Sequence, residues 1–264
     1  MKRPRPRLLI LDNDETTGSY LILFYLYDLF AESEFGLALD PALTLTILAA
    51  YFQAMNIFRP GLDTFLKSVA TLKSSGRIDG IVMYTNQLDV RHIKDVPIWK
   101  PKGHQWCVPM MIHVMLVYLA DYPKLIDEIL TRPVGSGLPA YPVKDFVRAY
   151  RAIIPIGPIN LEKTLFIDDL ASEPYLVDSS QSATDKNSRI HVPPYSRKLL
   201  DGSFRLIIKA VLAANKIEAS QADLDLIDAF EQKWLRANEK VQDRNLDTRM
   251  DELLPVLKSV FTNN

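Results

Sequence analysis

The feature that most constrains this chain is an apolar run that stops on acid. Leu8-Leu9-Ile10-Leu11 is followed at once by Asp12-Asn13-Asp14-Glu15-Thr16-Thr17. Four consecutive aliphatic residues read as a short strand buried on both faces. Strands of that kind belong to α/β sheets, whose ligands bind outside the carboxyl ends of the strands. Asp12 and Asp14 therefore sit together where a ligand binds, closer than packing explains. Two like charges at this spacing repel unless a cation or a shared proton separates them. Mg²⁺ answers the first case, because a hard cation prefers oxygen and is held by one or two carboxylates.

Two later stretches repeat the pattern. Gly80-Ile81-Val82-Met83-Tyr84 is an apolar strand closed by Thr85 and Asn86, and Leu161-Glu162-Lys163-Thr164-Leu165-Phe166-Ile167 carries a third apolar strand that ends in Asp168 and Asp169. Helical signals lie between them. Asp40-Pro41 is an N-cap followed by proline at the first helical position. Leu48, Tyr51, Phe52 and Met55 then fall at helical spacing, predicting a helix over 41–55. Pro60-Gly61 is a turn, after which Leu62, Phe65, Leu66 and Val69 form one apolar stripe with no chemistry assigned to it. Arg189-Ile190-His191-Val192-Pro193-Pro194-Tyr195 reads as a last short strand with a proline stop, and the chain is helical from there. Phe204, Ile207, Ile208 and Val211 share a face. Ser220 with Asp223 forms a capping pair before Leu224, Ile227, Phe230 and Trp234, and residues 247–261 are amphipathic.

Four aliphatic residues and then Asp12-x-Asp14-x-Thr16 resemble the signature of the haloacid-dehalogenase-like phosphatase superfamily. The Asp-x-Asp-Glu-Thr form is similar to the branch that includes the RNA polymerase C-terminal-domain phosphatases. Arg59-Pro60-Gly61 with Phe65-Leu66, Val143-Lys144-Asp145, and Asp168-Asp169 followed by Ser172 and Pro174 match further elements of that branch in the right order. The branch usually shows Asp-Asn where this chain has Asp168-Asp169, which leans towards the wider superfamily. The resemblance implies a three-layer α/β/α sandwich with a parallel, Rossmann-like sheet. It also implies one domain over 1–264, with a helical insertion at 20–59 after the first strand and a helical extension at 200–264. Superfamily insertions at that point form caps over the site; the alternative is a helix that simply packs. For the extension, packing on the sheet, a dimer surface and partner binding stay open.

The same resemblance assigns roles. Asp12 is the nucleophile and Asp14 the general acid and base. Mg²⁺ is held by Asp12, Asp14 (through its carbonyl) and Asp169, with Asp168 acting through water or orienting the lysine. Thr85 and Asn86 bind phosphate, and Lys144 offsets phosphoryl charge, with Lys100 and Lys102 as alternatives. Such a set meets what phosphate-ester cleavage demands: an in-line nucleophile, charge neutralisation and a proton for the leaving oxygen. Asp14 needs a raised pKa to be an acid at neutral pH, which its acidic neighbours supply. The implied function is a Mg²⁺-dependent phosphatase using an aspartyl-phosphate intermediate on phosphoprotein or small phosphate esters. A binding module on the same fold is the non-enzyme alternative, disfavoured by retention of both Asp12 and Asp14.

Other chemistries find no footing. Cys107 lacks the Arg six positions on that a cysteine phosphatase requires; His113 stands there. There is no Gly-Lys pair for a Walker-type loop, and no His-Glu-x-x-His or paired cysteines for zinc. Gly135-x-Gly137-x-x-Ala140 resembles a dinucleotide fingerprint, but no strand precedes it and Pro139 interrupts it. With 264 residues, 48% hydrophobic and 24% charged, the composition is that of a globular protein. A net charge of −1 provides no field towards nucleic acid or membrane. No apolar run approaches the ~18 residues of a membrane span. The single cysteine excludes an internal disulfide. The basic start, Met1 to Arg7, lacks the apolar core of a secretory signal and reads as a solvated arm or weak nuclear signal. The expected setting is intracellular, cytoplasmic or nuclear.

Overall fold

The computed structural model describes residues 6–20, 26, 29, 41–85, 124–131, 146–156, 164–169, 189–237, 239–240 and 242–262. Its centre is a parallel sheet of five strands: β1 (Leu8–Leu11), β2 (Gly80–Tyr84), β3 (Glu128–Leu130), β4 (Thr164–Asp168) and β5 (Arg189–His191), in the order β3-β2-β1-β4-β5. The three apolar runs are the three central strands, and every residue of each is buried. β3 and β5 are the two edges. They are short and only partly covered, as suits strands whose outer backbone groups face no partner strand.

Side chains alternate across the sheet, as the period of two requires. Leu9, Leu11, Ile81, Met83, Leu165 and Ile167 enter the larger core, while Ile10, Val82, Tyr84 and Phe166 enter the smaller one. The smaller core is closed by helix α3 (Phe146–Ile153) through Ala149 and Ile153. The larger core is filled from α1 (Pro41–Ala54), α2 (Leu62–Ser74), α4 (Ser203–Ala214), α5 (Gln221–Ala237) and α6 (Leu254–Thr262). The result is helix, sheet and helix in three layers, as expected.

The helical stripes take the faces their spacing predicts. Leu62, Phe65, Leu66 and Val69 are all buried, as are Phe204, Ile207, Ile208 and Val211. Gly61, at φ 76, turns the chain into α2. The capping pair before α5 is real: the Ser220 hydroxyl donates to Asp223 Oδ2 at 2.6 Å, and the Asp223 amide donates to Ser220 Oγ at 3.1 Å. The described part of the 20–59 insertion belongs to the main core. Tyr20, Leu26, Leu29, Leu48, Tyr51 and Phe52 are buried there, and α1 packs on α4. The C-terminal helices likewise pack, contributing Ile227, Leu257 and Phe261. The last strand is shorter than its apolar run. It stops at His191, just before Pro193 and Pro194, which have no N–H to give a ladder. Among the described residues, no helix is long and apolar enough to cross a membrane.

Candidate metal and active site

From β1 the chain works outward to β2 and β3, then returns to the other side of β1 as β4 and β5. The order therefore reverses between β1 and β4, and in open α/β sheets ligands bind at such a point, outside the carboxyl ends of the strands. Leu11 pairs with Ile167, and the Asp12 amide donates to the Ile167 carbonyl at 2.9 Å. That register sets Asp12 level with Asp168, with Asp169 one residue beyond.

The carboxylates of Asp12, Asp168 and Asp169 converge so that one oxygen from each lies within 4.8 Å of the others. Asp12 is 3% exposed and Asp168 2%. Thr16 ties the group together. Its hydroxyl lies 3.1 Å from Asp12 Oδ2 and 3.1 Å from Asp169 Oδ1, so its one proton serves either carboxylate. On the far side, His191 Nε2 donates to the Asp169 carbonyl at 2.9 Å, and the Val192 amide donates to the Asp168 carbonyl at 2.9 Å.

The donor set suits a small hard cation. All three side chains offer oxygen, and Mg²⁺ at about 2.1 Å from each ligand spaces its ligand oxygens roughly 3–4 Å apart.

The loop carrying Asp12 is held tightly. Its turn is closed by the Glu15 amide on the Gly18 carbonyl at 2.8 Å and the Thr17 amide on the Asn13 carbonyl at 2.9 Å. Glu15 adopts φ 56, which few non-glycine residues take without restraint. Two donors provide that restraint at its carbonyl: the Tyr195 amide at 2.8 Å and Arg59 Nη2 at 2.6 Å. Burial pushes the Glu15 carboxyl above its ordinary pKa, and the charge of Asp14 pushes it further the same way. Tyr20 stands behind the loop. Its hydroxyl pairs with Thr17 Oγ1 at 3.0 Å, and burial raises its pKa, so the phenol stays protonated.

Arg59, named in the sequence as part of a motif element, is given no role there. It is 2% exposed. Its Nε donates to the Thr16 carbonyl at 2.6 Å, and Nη2 donates to the carbonyls of Glu15 and Pro193, both at 2.6 Å. Nη1 donates to Thr248 Oγ1 at 2.8 Å, and the guanidinium lies 5.4 Å from the Tyr195 ring centroid. Burial pulls its pKa down, opposed first by the charge of Asp169. The sequence places Arg59 in the Arg59-Pro60-Gly61 element of the resemblance, but that element is assigned no chemistry.

Of the sequence-assigned residues, Asp12, Asp168 and Asp169 come together. Asp14 is on the same loop, half-buried, but its carboxylate is outside that group: Oδ1 accepts the Tyr20 amide at 3.2 Å. Thr85 is buried one residue past the end of β2, on the strand beside β1, and its amide is committed to the Leu130 carbonyl at 2.9 Å. Asn86, Lys100, Lys102 and Lys144 lie outside the described residues, as do Cys107, His113 and the 135–140 glycine motif. Comparison of the chain with protein-family models and with curated proteins finds no match.

Proposed function

We propose that this chain is a Mg²⁺-dependent phosphatase that hydrolyses phosphate monoesters through an aspartyl-phosphate on Asp12. The observation that carries the proposal is the convergence of Asp12, Asp168 and Asp169 at the point where strand order reverses. Those are the positions that the haloacid-dehalogenase-like resemblance assigns to nucleophile and metal ligands. Their sequence separation gives the convergence independent weight, since two separate strands must end side by side to produce it.

In this reading an Asp12 carboxylate oxygen attacks phosphorus, and the bond to the ester oxygen breaks as Asp14 gives that oxygen its proton. Asp14 then takes a proton from water, whose oxygen attacks the same phosphorus and releases phosphate and free Asp12. Mg²⁺ on Asp12, Asp168 and Asp169 would neutralise charge between nucleophile and phosphoryl group. Thr85, one residue past the end of β2, and Lys144 are the groups that the resemblance assigns to the phosphate oxygens. Thr16 orients two of the three carboxylates through one hydroxyl.

The test is hydrolysis of an aryl phosphate with and without Mg²⁺, for wild type and Asp12→Asn. Mg²⁺-dependent turnover that disappears in the variant supports the proposal. Absence of both turnover and Mg²⁺ binding by calorimetry overturns it. With turnover in hand, rates on phosphopeptides against soluble phosphometabolites decide the substrate class.

A further inference from the structure

Four N–H groups of Arg59 are committed to oxygen atoms of the protein itself, and the side chain is buried. It is therefore no substrate-binding arginine. What it joins is specific: the loop after β1 at Glu15 and Thr16, the segment after β5 at Pro193, and the C-terminal stretch 242–250 at Thr248.

That C-terminal stretch is itself anchored. Arg244 and Ser196 exchange backbone hydrogen bonds at 2.9 and 3.3 Å. Asn245 Nδ2 donates to the Pro194 carbonyl at 2.7 Å, and the Met250 amide donates to the Pro60 carbonyl at 2.8 Å. Thr248 Oγ1 donates to the Asn245 carbonyl at 2.7 Å, which turns its lone pairs towards Arg59. At the other end of the guanidinium, the pinned residues are Glu15, in its left-handed conformation, and Thr16, whose hydroxyl spans Asp12 and Asp169.

The geometry points to Arg59 and Thr248 as positioning residues for the acidic site: the C-terminal stretch holds Thr16, and through it Asp12 and Asp169, by way of the Arg59 guanidinium. The catalytic consequence rests on the phosphatase reading; the structural one does not. A displacement of about an ångström at a reacting group costs on the order of a hundredfold in rate, so a distant anchor of this kind has leverage.

The test uses the full chain with Thr248→Val, which keeps shape but removes the hydroxyl, and Thr248→Ser, which restores it. Ser220→Ala, which removes the distant cap of α5, serves as a control for simple loss of stability. Amide hydrogen exchange is followed at Glu15 and Thr17 without metal, and aryl-phosphate turnover is followed with Mg²⁺. Expected for Thr248→Val is exchange at Glu15 and Thr17 about tenfold faster, with wild-type behaviour in Thr248→Ser and Ser220→Ala. In turnover, kcat falls about tenfold while KM stays within about twofold, and Thr248→Ser recovers it. Unchanged exchange in Thr248→Val, or equal acceleration in Ser220→Ala, overturns the inference. So does faster exchange with undiminished kcat in an active enzyme. If wild type neither turns over the ester nor binds Mg²⁺, the phosphatase reading fails, and the exchange result alone decides whether the C-terminal stretch positions the loop.

Discussion

Arg59 holds Thr16 from behind: Nε donates to the Thr16 carbonyl at 2.6 Å, while the Thr16 hydroxyl reaches forward to Asp12 and Asp169. One residue thus has its main chain fixed by a buried cation and its side chain fixed between two carboxylates. The arrangement also places the guanidinium charge near the acidic group, where it counters Asp169. A site that must concentrate negative charge needs such a frame, because the loop would otherwise relax away from the repulsion.

Removal of the frame is costly. Arg59→Met leaves the buried carbonyl of Thr16 and the part-buried ones of Glu15 and Pro193 without a donor they now have. The buried loss costs about 1–3 kcal/mol and each part-buried one about 1 kcal/mol, so the expected destabilisation is roughly 3–5 kcal/mol. Arg59→Lys recovers little of it, since one ammonium cannot reproduce a planar fork aimed at separate segments. Urea unfolding of the three proteins measures both differences.

Two glycines share a backbone conformation but differ in surroundings, and their alanine variants should separate accordingly. Gly61 (φ 76) and Gly202 (φ 75) each precede a helix. A Cβ on Gly202 meets nothing within 4 Å, whereas on Gly61 it would lie 2.9 Å from the Asp251 amide nitrogen. Gly202→Ala should cost about 1 kcal/mol, the left-handed penalty alone. Gly61→Ala adds overpacking and should cost about 1–3 kcal/mol more. Thermal melting of the pair isolates the close approach of α2 to the C-terminal turn.

Glu231 caps α4 from α5. Its carboxylate accepts the Gly202 amide at 2.9 Å, the Phe204 amide at 2.7 Å and the Ser203 hydroxyl at 2.9 Å, and the same hydroxyl pairs with Tyr51 at 3.0 Å. Burial outweighs these donors and raises its pKa above the ordinary 4.5. The folded protein therefore binds this proton more tightly than the unfolded chain. Its contribution to stability is fullest below about 4.5 and is lost as pH rises through the folded-state value. Unfolding free energy plotted against pH should fall more steeply for wild type than for Glu231→Gln over that window. Identical slopes would remove the assignment. Glu231→Ala, which strips the α4 terminus of its acceptor, should cost about 2–4 kcal/mol below about pH 4.5 and less as pH rises.

The central strands were legible because each is a run of aliphatic and aromatic residues that a parallel sheet buries on both faces. The two acidic ends were legible because carboxylates after such a run have no packing purpose. The stripe from Leu62 to Val69 and the Ser220–Asp223 cap follow from local periodicity and local hydrogen bonding. The edge strand Glu128–Leu130 escaped: it is three residues long and partly exposed, too short for any period to emerge. Arg59 escaped for a different reason. Its partners are carbonyls of Glu15, Thr16 and Pro193, far away in sequence, and carbonyl groups leave no trace in residue identity. Thr16 stands in the Asp12-x-Asp14-x-Thr16 motif, while its bridge to Asp169 depends on β4 lying beside β1.

The proposed metal site makes a prediction independent of turnover. If Mg²⁺ binds Asp12, Asp168 and Asp169 in the folded state only, it stabilises that state by mass action, by about 2.7 kcal/mol at a hundred times the dissociation constant. The melting temperature of wild type should rise with Mg²⁺ and return on chelation. Asp168→Asn removes one anionic ligand while keeping the side chain's shape, so its melting temperature should no longer respond at the same Mg²⁺ concentration. Ca²⁺ should stabilise wild type less well, because it takes more oxygen ligands, at about 2.3–2.6 Å, than the three carboxylates of this group offer. An equal Mg²⁺ response in wild type and Asp168→Asn would place any bound ion elsewhere on the protein and leave the acidic group without its proposed role.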